Sequence, residues 1–183
     1  MNVYKLFGQN YEDLNDDAFL TWVGSMGSIC TSLRFLWSAA LDQKSYKLVY
    51  GVLLVCQVLV SLTMFVAIQS KLSYIIWICI GLFCEGGHFT IVPNTLKQIF
   101  GDQATSLYGI MLTYTGLSSL VMIGLLETTL SDDYLAFYLI TAGCSLAALC
   151  ILLFAFNETK FVYDVEQVRA ALNNPTGAAT EMP

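Results

Sequence analysis

Charge is what this sequence has least of. Of its 183 residues only 12% are charged, roughly half the share usual in a soluble domain. Hydrophobic residues make up 56%, and the mean hydropathy is +0.64. Such a chain cannot cover a water-facing surface, so it reads as a multi-pass, integral membrane protein whose first partner is the lipid bilayer. Basic side chains are scarcer than acidic ones, 8 against 14, for a net charge of -6. That balance excludes a nucleic-acid partner, which requires a basic face. There is one histidine, and the six cysteines (30, 56, 79, 84, 144 and 150) lie singly in apolar runs without CxxC spacing. They read as small buried hydrophobes rather than disulfides or ligands, and no metal site is expected. No nucleophile-base motif or phosphate loop is present either, so neither an enzyme nor a cofactor is expected. The N-terminus carries Glu12, Asp13, Asp16 and Asp17. It therefore lacks the basic start of a signal peptide and the acid-poor composition of a transit peptide.

What the chain has in quantity is apolar runs of membrane length. The expected fold class is all-α, with five transmembrane helices. Residues 1–17 read as an extramembrane segment, 18–160 as the helical bundle, and 161–183 as a cytoplasmic tail. The spans are expected at Phe19 to Leu41, Leu48 to Ile68, Leu72 to Phe100, Leu107 to Leu126 and Tyr134 to Phe156. Each is long enough, at about 1.5 Å per residue, to cross about 30 Å of hydrocarbon. Gly101 is well placed to stop the third span. An acidic loop is expected from Glu127 to Asp133, a surface amphipathic helix from Asn157 to Leu172, and a disordered tail from Asn173 to Pro183. Gly24, Ser28 and Ser32 recur at every fourth position of the first span, and small residues dot the fourth. The first, third and fourth spans should therefore pack inside, with the second facing lipid. One set of loops holds Lys44, Lys47, Lys97, Lys160 and Arg169, the other Lys5 and Lys71. This asymmetry puts the N-terminus outside and the C-terminus in the cytoplasm, in a plasma or organellar membrane.

The third span carries nearly everything in its run that is not apolar: Glu85, Gly86, Gly87, His88, Pro93 and Asn94. Ionisable groups at this depth face a cavity or a partner. Arg34 and Glu85 both fall roughly 20 Å below the outer face at about 1.5 Å per residue, so they are a candidate buried charge pair. The alternative is that Arg34 snorkels to the inner surface and Glu85 meets water. His88 lies one turn from Glu85 and either joins it in a proton pathway or hydrogen-bonds to a neighbouring helix. Tyr108, Thr113, Tyr114 and Thr115 offer hydroxyls to a solute or to adjacent helices.

Two stretches resemble a known family. The run from Arg34 to Lys47 resembles the cytoplasmic loop signature of the major facilitator superfamily, with Asp42, Lys44 and Lys47 in place. Ser38 stands where that signature has glycine, and Gln43 where it has its first basic residue. The second stretch runs Glu85-Gly86-Gly87-His88-Phe89, Pro93, Ile99-Phe100-Gly101 and Leu107-Tyr108-Gly109-Ile110. It is similar to the oxalate/formate antiporter-like and monocarboxylate transporter-like branch. The resemblance covers about Asp16 to Lys160. It implies the eighth to twelfth helices of a twelve-helix transporter, the C-terminal half less one helix.

By that resemblance the chain is the C-terminal part of a secondary transporter. It would move a small, monocarboxylate-like organic solute by alternating access, and be incomplete without its N-terminal half or another membrane polypeptide. The branch places a basic residue on the eleventh helix to meet a carboxylate. The matching span here, Leu107 to Leu126, has no Lys or Arg. Glu85, His88, Asn94, Tyr108 and Tyr114 are the candidate substrate or proton-pathway residues. The competing expectation is a non-transporting subunit or scaffold that kept the fold.

Overall fold

Capping residues and hydroxyl side chains decide where the helices begin and break. The computed structural model describes residues 3–128 and 134–156, with Glu166 beyond them. The expected helix from Asn157 to Leu172 (Glu166 apart), the tail from Asn173 and positions 129–133 of the acidic loop lie outside the described residues. A short helix α1 (Val3–Gln9) leads to α2 (Asp17–Ser32), whose N-cap Asp16 accepts from the backbone N–H of Ala18 and Phe19. Then come α3 (Phe35–Gln43), α4 (Tyr46–Leu62) and α5 (Met64–Ala67). The long α6 (Lys71–Phe100) follows, then α7 (Ala104–Thr128) and α8 (Tyr134–Cys150), which passes into a π turn at Ile151–Ala155. Ser45 and Ser70 cap α4 and α6 in the same way as Asp16 caps α2.

All regular elements among the described residues are helical. Two stretches are long and apolar enough to cross a membrane: Lys71–Leu126 and Tyr134–Ala155. The first is two helices, α6 and α7, joined by a single 3-10 turn at Gly101–Gln103. Gly101 adopts φ +54° there, a conformation that favours glycine, and its N–H bonds back to the Lys97 carbonyl. Through Pro93 the helix continues unbroken.

The first two expected spans are each divided. The first breaks at Leu33 and Arg34, where both N–H groups bond three residues back, to Cys30 and Thr31. The preceding turns carry Ser28, Thr31 and Ser32, each donating to the carbonyl four residues earlier, a habit that bends helices. The second breaks at Thr63. Its hydroxyl donates to the Leu59 carbonyl at 2.6 Å and accepts the Trp77 indole N–H at 2.9 Å.

The N-terminal segment does not stay apart from the bundle. Phe7 and Leu14 are buried with Leu20, Val23, Met64, Ala67, Tyr74 and Ile78 in one apolar cluster. The Phe7 ring lies 5.1 Å from Tyr138 and 5.3 Å from Tyr11, edge to face. The Tyr74 hydroxyl donates to the Tyr4 carbonyl, Lys5 meets Asp17 at 2.6 Å, and the Lys71 ammonium sits 5.3 Å over Phe19. Residues 3–14 thus close one end of the bundle. The second cluster, Trp37, Val49, Leu53, Cys84 and Ile91, ties α3 and α4 to α6.

The expected packing is met for α6 and overturned for α7. Helix α6 is central and touches α2, α3, α4, α5 and α7. Helix α4 shows two faces, Val49, Leu53, Val58 and Ser61 inside and Leu48, Val52, Val55, Leu59 and Leu62 outside. Along α7 nearly every residue from Gly109 to Val121 is exposed, so this span is not an interior helix among the described residues. Of the stripe Gly24, Ser28 and Ser32 only Gly24 is packed, against Tyr4 of α1, and the ridge of α2 that meets α6 lies elsewhere. It is Leu20, Val23, Gly27 and Thr31, while Ser28 and Ser32 are exposed.

Candidate functional site

Gly86 and Gly87 explain how α6 is held. Helical side chains lean towards the N-terminus, so each shields the carbonyl about one turn before it. Without side chains at 86 and 87, the carbonyls of Leu82 and Phe83 lie open to neighbours. Thr31 of α2 shares its one hydroxyl proton between its own Gly27 carbonyl at 3.0 Å and Leu82 O at 3.2 Å, and Trp37 of α3 donates its indole N–H to Phe83 O at 3.1 Å. A methyl group added to Gly86 would lie 2.9 Å from the Thr31 carbonyl oxygen. At Gly87 it would strike Leu53 and stand 3.0 Å from the Trp37 indole. The Gly-Gly pair is a docking seam for two helices.

One position before that seam, Glu85 turns the other way. It lies on a cavity of about 940 Å³ between α4, α6, α7 and α8, reached at one end by Tyr4 of α1. This volume lies within the few-hundred to roughly 1,000 Å³ range of small-molecule sites. Gln57, Trp77, Tyr114, Phe137 and Tyr138 share the lining, with Ser61, Ser118, Ser119 and Thr141. Glu85 is the only Asp, Glu, Lys or Arg in the lining among the described residues. It is also the fifteenth of the 30 residues of α6, its midpoint.

The candidate residues are brought together only in part. His88 faces α4, where its Nδ1 lies 3.1 Å from the Tyr50 hydroxyl and its Nε2 lies 3.0 Å from Gln57 Oε1. A carbonyl oxygen only accepts, so in the neutral ring Nε2 carries the proton and Nδ1 receives the Tyr50 O–H. Both nitrogens are thus occupied by a neighbouring helix, and His88 reaches the cavity only through Gln57. Asn94 donates to Ser38 Oγ at 2.8 Å and joins α6 to α3. Tyr108 is half-buried on α7, outside the cavity lining, whereas Tyr114 is on it and 69% exposed.

Arg34 and Glu85 are not an ion pair. Among the described residues the one ion pair is Lys5 with Asp17. Arg34 falls at the break between α2 and α3 and is exposed, with its Cβ against Gly86, on the side of α6 away from the cavity. Glu85 points to α7 and α8. Matching depth does not make matching azimuth, and one residue along a helix rotates a side chain by about 100°. Of the loop residues, Asp42 and Lys44 are exposed, while Lys47 donates to the carbonyls of Leu153 and Phe156 at 2.8 and 3.1 Å. Lys47 therefore satisfies carbonyls of the π turn that follows α8.

Sequence reasoning missed Gln57, Tyr50, Trp77 and Tyr138. Gln57 was legible, because an amide in the middle of an apolar span needs a partner. The aromatic residues carried no such signal. No family model, curated protein or solved structure matches the chain.

Proposed function

We propose that the chain supplies five helices of a secondary carrier for a small organic solute, built on the major-facilitator plan and incomplete alone. The observation that carries this reading is Glu85. A carboxylate at the midpoint of a membrane-length helix, beside a cavity of about 940 Å³ and without a protein counter-charge among the described residues, is costly for structure alone. Ionisable groups kept in such positions mark solute or ion pathways. A monocarboxylate is not proposed as the solute, because no Lys or Arg among the described residues lines the cavity. The orientation follows from the loop charges: N-terminus outside, C-terminus cytoplasmic.

Accessibility and uptake test the reading together. In a cysteine-free background, Glu85→Cys should react with a membrane-impermeant maleimide in sealed vesicles, and Val55→Cys on the lipid side should not. In cells that make the chain with its carrier half, Glu85→Gln should lower solute uptake at least tenfold. An unreactive position 85, with uptake unchanged in Glu85→Gln, would replace the carrier with a non-transporting subunit whose cavity is filled by a partner.

A further inference from the structure

We propose that the cavity takes a cationic amine with an apolar or aromatic body, with Glu85 as its counter-ion. The proposal deepens the carrier reading and rests on it only for transport; binding stands by itself. Three features of the lining agree on the sign of the ligand. The first is Glu85, the single formal charge on the wall among the described residues, with no basic residue among them in the lining.

The second is how the hydroxyl protons are used. Ser118 and Ser119 both donate to the Thr115 carbonyl at 2.9 Å, and Thr141 donates to the Phe137 carbonyl at 3.0 Å. Their protons are spent on their own helices, so these three groups present lone pairs to the cavity. The Trp77 N–H is likewise taken by Thr63. The phenols of Tyr4, Tyr114 and Tyr138, the Ser61 hydroxyl and the Gln57 amide remain as donors, all neutral, and a carboxylate held by them would have no cation among the described lining residues to offset its charge. The wall is rich in acceptors, as an ammonium with its N–H donors requires.

The third feature is aromatic surface. Trp77, Tyr114, Phe137 and Tyr138 all line the space. Aromatic faces attract cations and repel anions through the ring quadrupole. An acid, acceptor oxygens and four aromatic side chains around one volume form a cation site and a poor anion site.

The test uses three probes of one shape: 4-phenylbutylamine, 4-phenylbutanol and 4-phenylbutyrate. Each is titrated by calorimetry into the full chain in nanodiscs of zwitterionic lipid, with empty discs subtracted. The amine should bind about tenfold or more tighter than the alcohol, and the butyrate weakest. Glu85→Gln should bring the amine to the level of the alcohol, and Glu85→Asp should keep the order. Tyr114→Leu, at an exposed position, should weaken the amine about threefold and leave the alcohol unchanged. Butyrate binding as tight as the amine overturns the proposal. So does an amine preference that survives Glu85→Gln or, should that variant not fold, one indifferent to both Glu85→Asp and Tyr114→Leu. Amine binding without uptake leaves the site standing and removes the carrier. Glu85-dependent uptake of an anion does the reverse.

Discussion

Two sets of glycines that look alike in the sequence end in opposite surroundings. At the seam between α2 and α6, a methyl on Gly86 would stand 2.9 Å from a backbone oxygen, and one on Gly27 would collide with Leu82. Along α7, a methyl on Gly109, Gly116 or Gly124 would meet nothing within 4 Å. Small residues let helices approach, but they do not supply the helix that approaches. The α2–α6 seam has its partner within the chain, and α2 and α3 add side-chain bonds from Thr31 and Trp37 to the exposed carbonyls. The α7 face has no such neighbour among the described residues. Its hydroxyls, Thr113, Thr115, Ser118 and Ser119, satisfy themselves on their own backbone.

The sharpest way to break this contrast is Gly86→Ala. The obstructing atom is backbone and cannot rotate away, so we expect a loss of about 2–3 kcal/mol, read as a lower unfolding midpoint in detergent. An unchanged midpoint would mean that α2 and α6 are not seated as described. Next in size is His88→Ala, which leaves both the Tyr50 hydroxyl and the Gln57 carbonyl oxygen without their partner; we expect about 2 kcal/mol. If the Tyr50→Phe/His88→Ala double variant is no milder than the sum of the single changes, the bridge between α4 and α6 is not energetic.

Third is a pair of opposite sign. Gly27→Ala should cost about 1 kcal/mol, because the Leu82 side chain can turn aside. Gly116→Ala should stabilise by up to about 1 kcal/mol, since alanine is the better helix former and the space is open. Destabilisation by Gly116→Ala would show that α7 is packed after all. Smallest is Ser28→Leu, expected within about 0.5 kcal/mol because the site is exposed. With it goes the Arg34→Met/Glu85→Gln cycle, which should be additive within about 0.5 kcal/mol. A coupling above that range would restore the ion pair.

Much of this was legible beforehand because it depends on local chemistry. Gly101 ends α6 as its place in the sequence predicts, where its positive φ is needed. The caps at Asp16, Ser45 and Ser70 were not among the expectations, but they are short polar side chains of the same local kind. The Gly86-Gly87 pair stands out in the sequence of the third span, and in the structure it is a place of close approach. Azimuth was not legible. Ser28 and Gly27 are neighbours, equally small, and only one lies on the contact ridge. Nor was the break at Thr63, since it is held by Trp77, 14 positions away.

Composition and run length by themselves determined that this chain is helical, that it is apolar enough to enter a membrane, and that its third run holds the costly polar groups. Those properties follow from counting, because transfer from water is additive over residues. The tertiary structure alone decided which way each polar group turns. It set Glu85 towards the cavity, His88 towards Tyr50 and Gln57, and Arg34 away from both. The reason is rotational: adjacent helix positions differ by about 100°, and only the packing of α2, α3 and α4 against α6 fixes where the first of them points.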